Sequence, residues 1–155
     1  MTTPRSVTHA TFVIERTYQA PPARVFAAFA DPAIKSRWFG SPDSPTSDHA
    51  LDFRVGGRET VRGGSPDGPI YTYEAEYQDL VPDQRIVTTY AMDMGDTRIS
   101  ASVATVELTR DGSGTRMVYT EQGAYLDGHD TPAQREHGTR ELLDNLAAEL
   151  ERSAT

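Results

Sequence analysis

The 155-residue chain has no cysteine. Disulfides and thiolate metal sites are thereby excluded, and the absence fits a reducing compartment, so a cytoplasmic location is expected. Long apolar runs are missing as well. No stretch approaches the roughly 20 apolar residues that a membrane span needs. Met1 to Ala10 holds no apolar run of signal-peptide length. Positive charge is scarce: 15 Lys and Arg stand against 23 Asp and Glu, a net charge of −8. Such a surface repels phosphate backbones, so no nucleic-acid partner is expected. There is no Gly-x-Ser-x-Gly elbow, no P-loop and no dinucleotide fingerprint, and no cofactor is expected. Internal repeats and linkers are absent too. The length suits a single domain over 1–155, with its core in 10–152.

What is present alternates. In residues 11–18, Phe12, Ile14, Arg16 and Tyr18 share one face at period two, which predicts a strand. Pro21-Pro22 opens a short helix with Val25, Phe26 and Phe29 on its apolar face. Asp31-Pro32 caps and starts a second one, ending near Trp38-Phe39-Gly40. Ser41 to Ser47 is a Pro/Ser/Asp loop. From residue 49 the punctuation changes to Gly, Pro and Asp turn signals. Between them lie β-branched and aromatic runs at 50–55, 58–62, 70–80, 85–92, 97–109 and 115–122. Short spacings favour an antiparallel meander. Gly123 to Asp130 reads as a loop. Thr131-Pro132-Ala133-Gln134 is a helix start with a Thr cap. The helix should run to about residue 152, with Leu142, Leu143, Leu146 and Leu150 as its stripe. Gly138 interrupts it at a cost of ~1 kcal/mol relative to Ala, which makes sense where sheet or ligand comes close. A sheet with one apolar face needs a cover, and the long helix is the element able to supply it.

Local words strengthen this order. They are Phe12-Val-Ile-Glu-Arg16-Thr-Tyr18, Val25-Phe26-Ala-Ala-Phe29, Asp31-Pro32, Arg37-Trp38-Phe39-Gly40 and Phe53-Arg54-Val55-Gly56-Gly57. Later come Pro66-Asp67-Gly68, Tyr77 with Leu80-Val-Pro82, Gly114-Thr115-Arg116, Thr120-Glu121-Gln122-Gly123, and Gly138 with Leu142 to Leu150. In that order the chain resembles the activator of heat-shock protein 90 ATPase homologue-like family, within the START/polyketide-cyclase (SRPBCC) superfamily. The resemblance implies an α+β helix-grip fold: a seven-stranded curved antiparallel sheet around a long C-terminal helix, with two short helices after the first strand. It also implies a hydrophobic cavity between sheet and helix. Thr139 stands where the family often has Trp, and Val55 replaces a frequent Pro.

Candidate site residues follow from both readings. Arg16, if it points inward with Phe12 and Ile14, needs a partner, since an unpaired buried charge costs several kcal/mol. Glu121 shares a face with Met117 and Tyr119 on the last strand, which neighbours the first in a helix-grip sheet. A pocket-facing Arg16–Glu121 pair is therefore expected, against the alternatives of a structural pair or an Arg16 that snorkels to solvent. Trp38, Phe39, Tyr71, Tyr73, Tyr77, Tyr90 and Tyr125 are candidate lining aromatics, with Phe53, Met92, Tyr119, Gly138 and Leu142 beside them. Asp127, His129 and Asp130 share one loop, but with no second cluster no metal is expected. His137 and Glu141 read as a helical surface pair. Arg54, Arg58 and Arg62 are expected on one solvated strand face. No catalytic residue is assigned. The leading reading is a binder of a small hydrophobic or amphipathic molecule. The alternative is a protein-interaction module, co-chaperone-like or regulatory, and an enzyme such as a cyclase or hydrolase ranks third. Trp38-Phe39, if exposed, would suit a homodimer contact or a pocket rim.

Overall fold

The computed structural model describes residues 4–40, 48–64 and 67–152. In chain order the elements are β1 (Val7–Tyr18), α1 (Pro22–Ala30), α2 (Pro32–Trp38), β2 (Asp48–Leu51), β3 (Arg58–Gly63), β4 (Tyr71–Val81), β5 (Arg85–Met94), β6 (Thr97–Asp111), β7 (Gly114–Leu126) and α3 (Pro132–Arg152). The seven strands form one antiparallel sheet in the order β1-β7-β6-β5-β4-β3-β2. This is the expected helix-grip α+β fold.

Local chemistry sets the boundaries. Asp31 accepts from the Ala33 amide at 2.9 Å and caps α2. Thr131 accepts from the Gln134 amide at 3.1 Å and caps α3. β1 begins four residues earlier than its alternation predicts, at Val7, and two further boundaries differ from the sequence reading. The run at 50–55 ends as a strand at Leu51. Asp52 to Gly57 then turns tightly, with the Gly57 amide on the Arg54 carbonyl at 2.7 Å. A Cβ on Gly57 would fall 2.1 Å from the Asp52 carbonyl oxygen, so only glycine fits. Arg54 therefore sits in a turn and shares no strand face with Arg58 and Arg62. The second difference is β7, which continues through Gly123 to Leu126 because the start of β1 pairs with it, Val7 opposite Leu126. Cross-strand pairing overrode the local glycine signal there. The predicted loop at 41–47 lies outside the described residues.

A register shift between Tyr77 and Asp79 keeps β4 useful to the core. Strict alternation from Tyr77 would turn Asp79 inward. The bulge instead puts Leu80 against the core, and Asp79 meets Arg85 at the surface at 2.6 Å.

The core lies at one end of the grip. Phe12, Ile14 and Tyr18 of β1 pack with Met117, Leu108 and Val106, with Val25, Phe29 and Trp38, and with Leu143, Leu146 and Leu150 of α3. The Tyr18 hydroxyl donates to the Leu143 carbonyl at 3.1 Å and ties strand to helix. The face that α3 turns inward changes character along its length. Its second half offers Leu143, Leu146 and Leu150, whereas its first half offers Arg135, Gly138 and Thr139. Gly138 and Thr139 are too small to fill the space that leucines fill, and the Arg135 guanidinium is drawn aside onto Tyr90, Ser100 and Asp130, so the first half roofs a hollow.

Candidate functional site

The hollow measures about 910 Å³ and lies between the sheet and α3. Its floor and walls are Val61, Ile86, Met92, Ala104 and Val106, with Phe39 and Leu142 from the helical side. Tyr71, Tyr73, Tyr77, Tyr90 and Tyr119 supply the aromatic wall, Tyr71 at an exposed position. Tyr73 and Tyr119 are deep in the protein yet only half-buried, because the surface they keep faces the hollow. Burial pushes both phenols well above their ordinary range, with Glu59 adding to the rise for Tyr73 and Glu121 for Tyr119. They stay protonated and act as O–H groups.

Two buried charged clusters stand in the wall. The first is built on Lys35, the chain's one lysine. Its Nζ lies 2.6 Å from Oε1 of Glu59 and 4.4 Å from the Phe39 ring centroid. The Tyr77 hydroxyl donates to the same oxygen at 2.8 Å, and Nε2 of His49 meets Oε2 at 2.7 Å. Lys35 and Tyr77 front the hollow, with Glu59 and His49 behind them. Burial pulls the Lys35 ammonium below its ordinary range, and the Glu59 charge opposes this. Burial alone would raise Glu59, but the Lys35 charge and the hydrogen bonds from His49, Lys35 and Tyr77 together hold its carboxyl below the usual range.

The second cluster is built on Arg135 in the first turn of α3. Its guanidinium donates to the Tyr90 hydroxyl at 2.7 Å, to Ser100 at 2.8 Å and to Asp130 at 2.9 Å. Glu121 stands 3.7 Å away and accepts from Tyr90 at 2.8 Å and from Tyr119 at 2.7 Å. Burial raises the Glu121 carboxyl above its ordinary range, and the bonds from Tyr119, Tyr90 and Arg135 offset only part of that rise. The rings of Phe39, Tyr73 and Tyr90 link the clusters, with centroids 5.3 Å and 4.7 Å apart in turn.

Several expected site residues lie elsewhere. The Arg16–Glu121 pair does not form. Arg16 is opposite Met117, and Glu121 is opposite Phe12. The offset of four residues amounts to about 13 Å along a strand. Arg16 instead reaches the rim of α3, 3.5 Å from Asp144, with side chains 24% and 72% exposed. An ion pair so open to water contributes little, and Arg16→Met is expected to change stability by under about 1 kcal/mol in a denaturant titration. Trp38 is 2% exposed and buried in the core, its indole N–H on the Ala28 carbonyl at 2.9 Å. It is neither rim nor docking contact. Phe53 packs on Phe26 and Tyr77 below the wall, since its segment is a turn rather than a strand. Tyr125 is buried beside Arg135, behind the wall, and its phenol is pushed up to about 12 by burial and the Glu121 charge. His137 and Glu141 form the expected surface pair at 2.8 Å.

Four buried residues of the two clusters escaped sequence reading: Lys35, His49, Glu59 and Arg135. A signal existed for Glu59, which alternates with Val61 on the face opposite Arg58 and Arg62. One existed for Arg135 too, four residues before Thr139 and eight before Leu143 on one helical face. A second depression of about 1020 Å³ crosses the outer face of the sheet. Small residues such as Ala91 and Ala101 line it together with Glu74, Glu76 and Arg98, and it lacks the dense aromatic wall of the inner hollow.

Solved structures share this architecture over nearly the whole chain. An uncharacterized protein from Rhizobium leguminosarum is 46% identical, covering 97% of this chain and 99% of that one, with a TM-score of 0.93. The Mll3558 protein from Rhizobium loti is 53% identical, covering 93% and 99%, at a TM-score of 0.87. Protein CV1439 from Chromobacterium violaceum is 25% identical, covering 91% and 96%, at 0.76. No curated protein matches the chain significantly. Among the described residues no helix is long and apolar enough to cross a membrane. The model of the family described as Activator of Hsp90 ATPase homolog 1-like protein matches residues 19–151, and the chain belongs to that family.

Proposed function

We propose that the protein binds a small apolar or amphipathic molecule in the hollow between the sheet and α3. The observation that carries this is the hollow itself. Its volume of about 910 Å³ falls within the range of small-molecule sites, and apolar and aromatic side chains dominate its wall. A protein-docking role is less well supported. The exposed large apolar residues Val7, Val13, Val55, Ile70 and Tyr71 are spread over β1, a turn and the start of β4. The shifted Lys35–Glu59 pair favours a cavity enzyme, but those groups satisfy each other, which suits a wall better than a reacting centre.

Gly138 provides the test. It borders the hollow, and a Cβ there would meet nothing within 4 Å. Gly138→Ala is expected to gain ~1 kcal/mol from helix propensity, a rise of about 2–4 °C in Tm, and to keep binding. Gly138→Trp projects an indole into the space. Wild type should take up Nile red, a neutral fluorescent apolar probe, and folded Gly138→Trp should bind it at least about tenfold more weakly. Equal uptake by wild type and Gly138→Trp, or none by wild type, would overturn the proposal.

A further inference from the structure

The charges in the wall of the hollow are already spent on one another. Among the described residues two cations border it, Lys35 and Arg135. Each has a carboxylate: Lys35 has Glu59 at 2.6 Å, and Arg135 has Asp130 at 2.9 Å with Glu121 at 3.7 Å. The residues outside the description, 1–3, 41–47, 65–66 and 153–155, contain no Lys, Arg or His. The two buried carboxylates are equally occupied. Glu59 takes Lys35 and Tyr77 on one oxygen and His49 on the other, and Glu121 takes Tyr119 and Tyr90. An anionic headgroup would have to displace a carboxylate from its cation. A cationic headgroup seated in the buried part of the hollow would have to break up the same bonds from the other side, because the other lining carboxylates, Glu141 and Asp144, stand at the exposed rim, 66% and 72% exposed. Either would leave a buried charge without its partner, a heavily penalised state.

The hydroxyls are not all spent. Those of Tyr77, Tyr90 and Tyr119 donate to Glu59 and Glu121. The Tyr73 hydroxyl makes no hydrogen bond to any described residue, although its ring is held between Phe39 and Tyr90 on the wall of the hollow. A ligand that fills the hollow takes water away from this group and must replace the hydrogen bond.

We infer that the hollow selects an uncharged ligand whose hydroxyl or carbonyl oxygen pairs with Tyr73, and rejects carboxylate, phosphate and ammonium headgroups. This rests on the ligand-binding reading above. It makes Tyr73 the specificity-determining residue, with Lys35–Glu59 and Arg135–Glu121 as closed, self-neutralised walls.

A matched set of probes separates the terms: pyrene, 1-pyrenemethanol, 1-pyrenecarboxylate and 1-pyrenemethylammonium, titrated by fluorescence at pH 7. The alcohol is expected to bind at least about tenfold more tightly than either ion, given what an unpaired buried charge costs. Tyr73→Phe should weaken the alcohol by about three- to tenfold and leave pyrene unchanged, the effect of one neutral hydrogen bond. That variant deletes no hydrogen bond among the described residues, so the fold they form is kept. Equal or tighter binding of either ion overturns the selectivity, as does a Tyr73→Phe protein with unaltered preference for the alcohol. Should all four probes bind alike and Gly138→Trp exclude them all, only the selectivity falls. If none binds and Nile red does not either, the ligand-binding reading falls with it.

Discussion

Glu59→Gln is expected to cost roughly 3–5 kcal/mol, the loss typical of removing one partner of a buried ion pair, and so to lower Tm by about 10 °C or more. Glu59 is 0% exposed, and three donors converge on its two oxygens. A glutamine keeps one acceptor and places an NH2 group against Lys35 or His49. Lys35 is then left as an ammonium among Phe29, Phe39 and Tyr77 with no counter-charge. The rings soften this by cation–π attraction, worth about 0.5–2 kcal/mol, too little to replace a carboxylate at 2.6 Å. The pH dependence has a definite sign. The folded Glu59 carboxyl lies below its ordinary value of 4.5. Its contribution is therefore complete above that value and lost as pH falls through the lower, folded one. The gap between wild type and Glu59→Gln should narrow in acid. A double variant, Lys35→Met with Glu59→Leu, should recover much of the loss, because well-packed apolar side chains replace a buried pair at little cost. As Lys35 is the sole lysine, acylation of side-chain amine followed by mass spectrometry reports on this pair alone. It should be slow in wild type and faster in Glu59→Gln. A single variant within 1 kcal/mol of wild type would mean that the pair does not hold the wall.

How much of this the sequence disclosed depends on the kind of signal each residue carries. Elements announced by periodicity and caps were legible: β1 from Phe12, Ile14 and Tyr18, α2 from Asp31-Pro32, α3 from Thr131-Pro132. The lining tyrosines were legible for the same reason, since Tyr73 and Tyr77 alternate with Glu74 and Glu76. Pairing across the sheet was not. The Arg16–Glu121 expectation chose the right strands, β1 and β7, and the right faces, yet missed the register by four residues. Nothing local in either strand fixes which rung meets which. Lys35 was hidden by convention, because a charged residue on a seven-residue helix is normally assigned to solvent. Only the fold shows that Lys35 is buried on the same helix as Trp38, three residues on, with its ammonium against Glu59 in the interior. His49 comes just after a Pro/Ser/Asp loop and carries no local signal, whereas its place on β2 opposite Val61 brings it to Glu59. The hollow itself was a matter of size along α3: Gly138 and Thr139 occupy the turn where leucines would have closed it.

Arg135→Met carries the second large effect, again roughly 3–5 kcal/mol, and its loss, like that of Glu59→Gln, should shrink in acid, though for a different reason. Arg135 bonds Tyr90, Ser100 and Asp130 and lies near Glu121. Without it Glu121 keeps only its two tyrosine donors. The Glu121 carboxyl is already raised above 4.5, with burial as the largest cause. A raised carboxyl binds its proton more tightly in the folded than in the unfolded state, so stability from this group falls as pH rises between the two values. Removing the guanidinium raises the folded value further and deepens that fall. The loss in Arg135→Met should therefore be greatest near neutral pH and shrink in acid, where a protonated Glu121 needs no cation. Adding Glu121→Gln should return about 1–3 kcal/mol at pH 7, the coupling expected of groups in one buried network. Asp130 still loses its partner in the double variant, but its side chain is 17% exposed and hydrates. Denaturant titrations of the four proteins at pH 5 and pH 7 complete the cycle. If Glu121→Gln fails to rescue Arg135→Met, or the loss is the same at both pH values, then Glu121 does not depend on Arg135 and the self-neutralised wall is wrong at that end of the hollow.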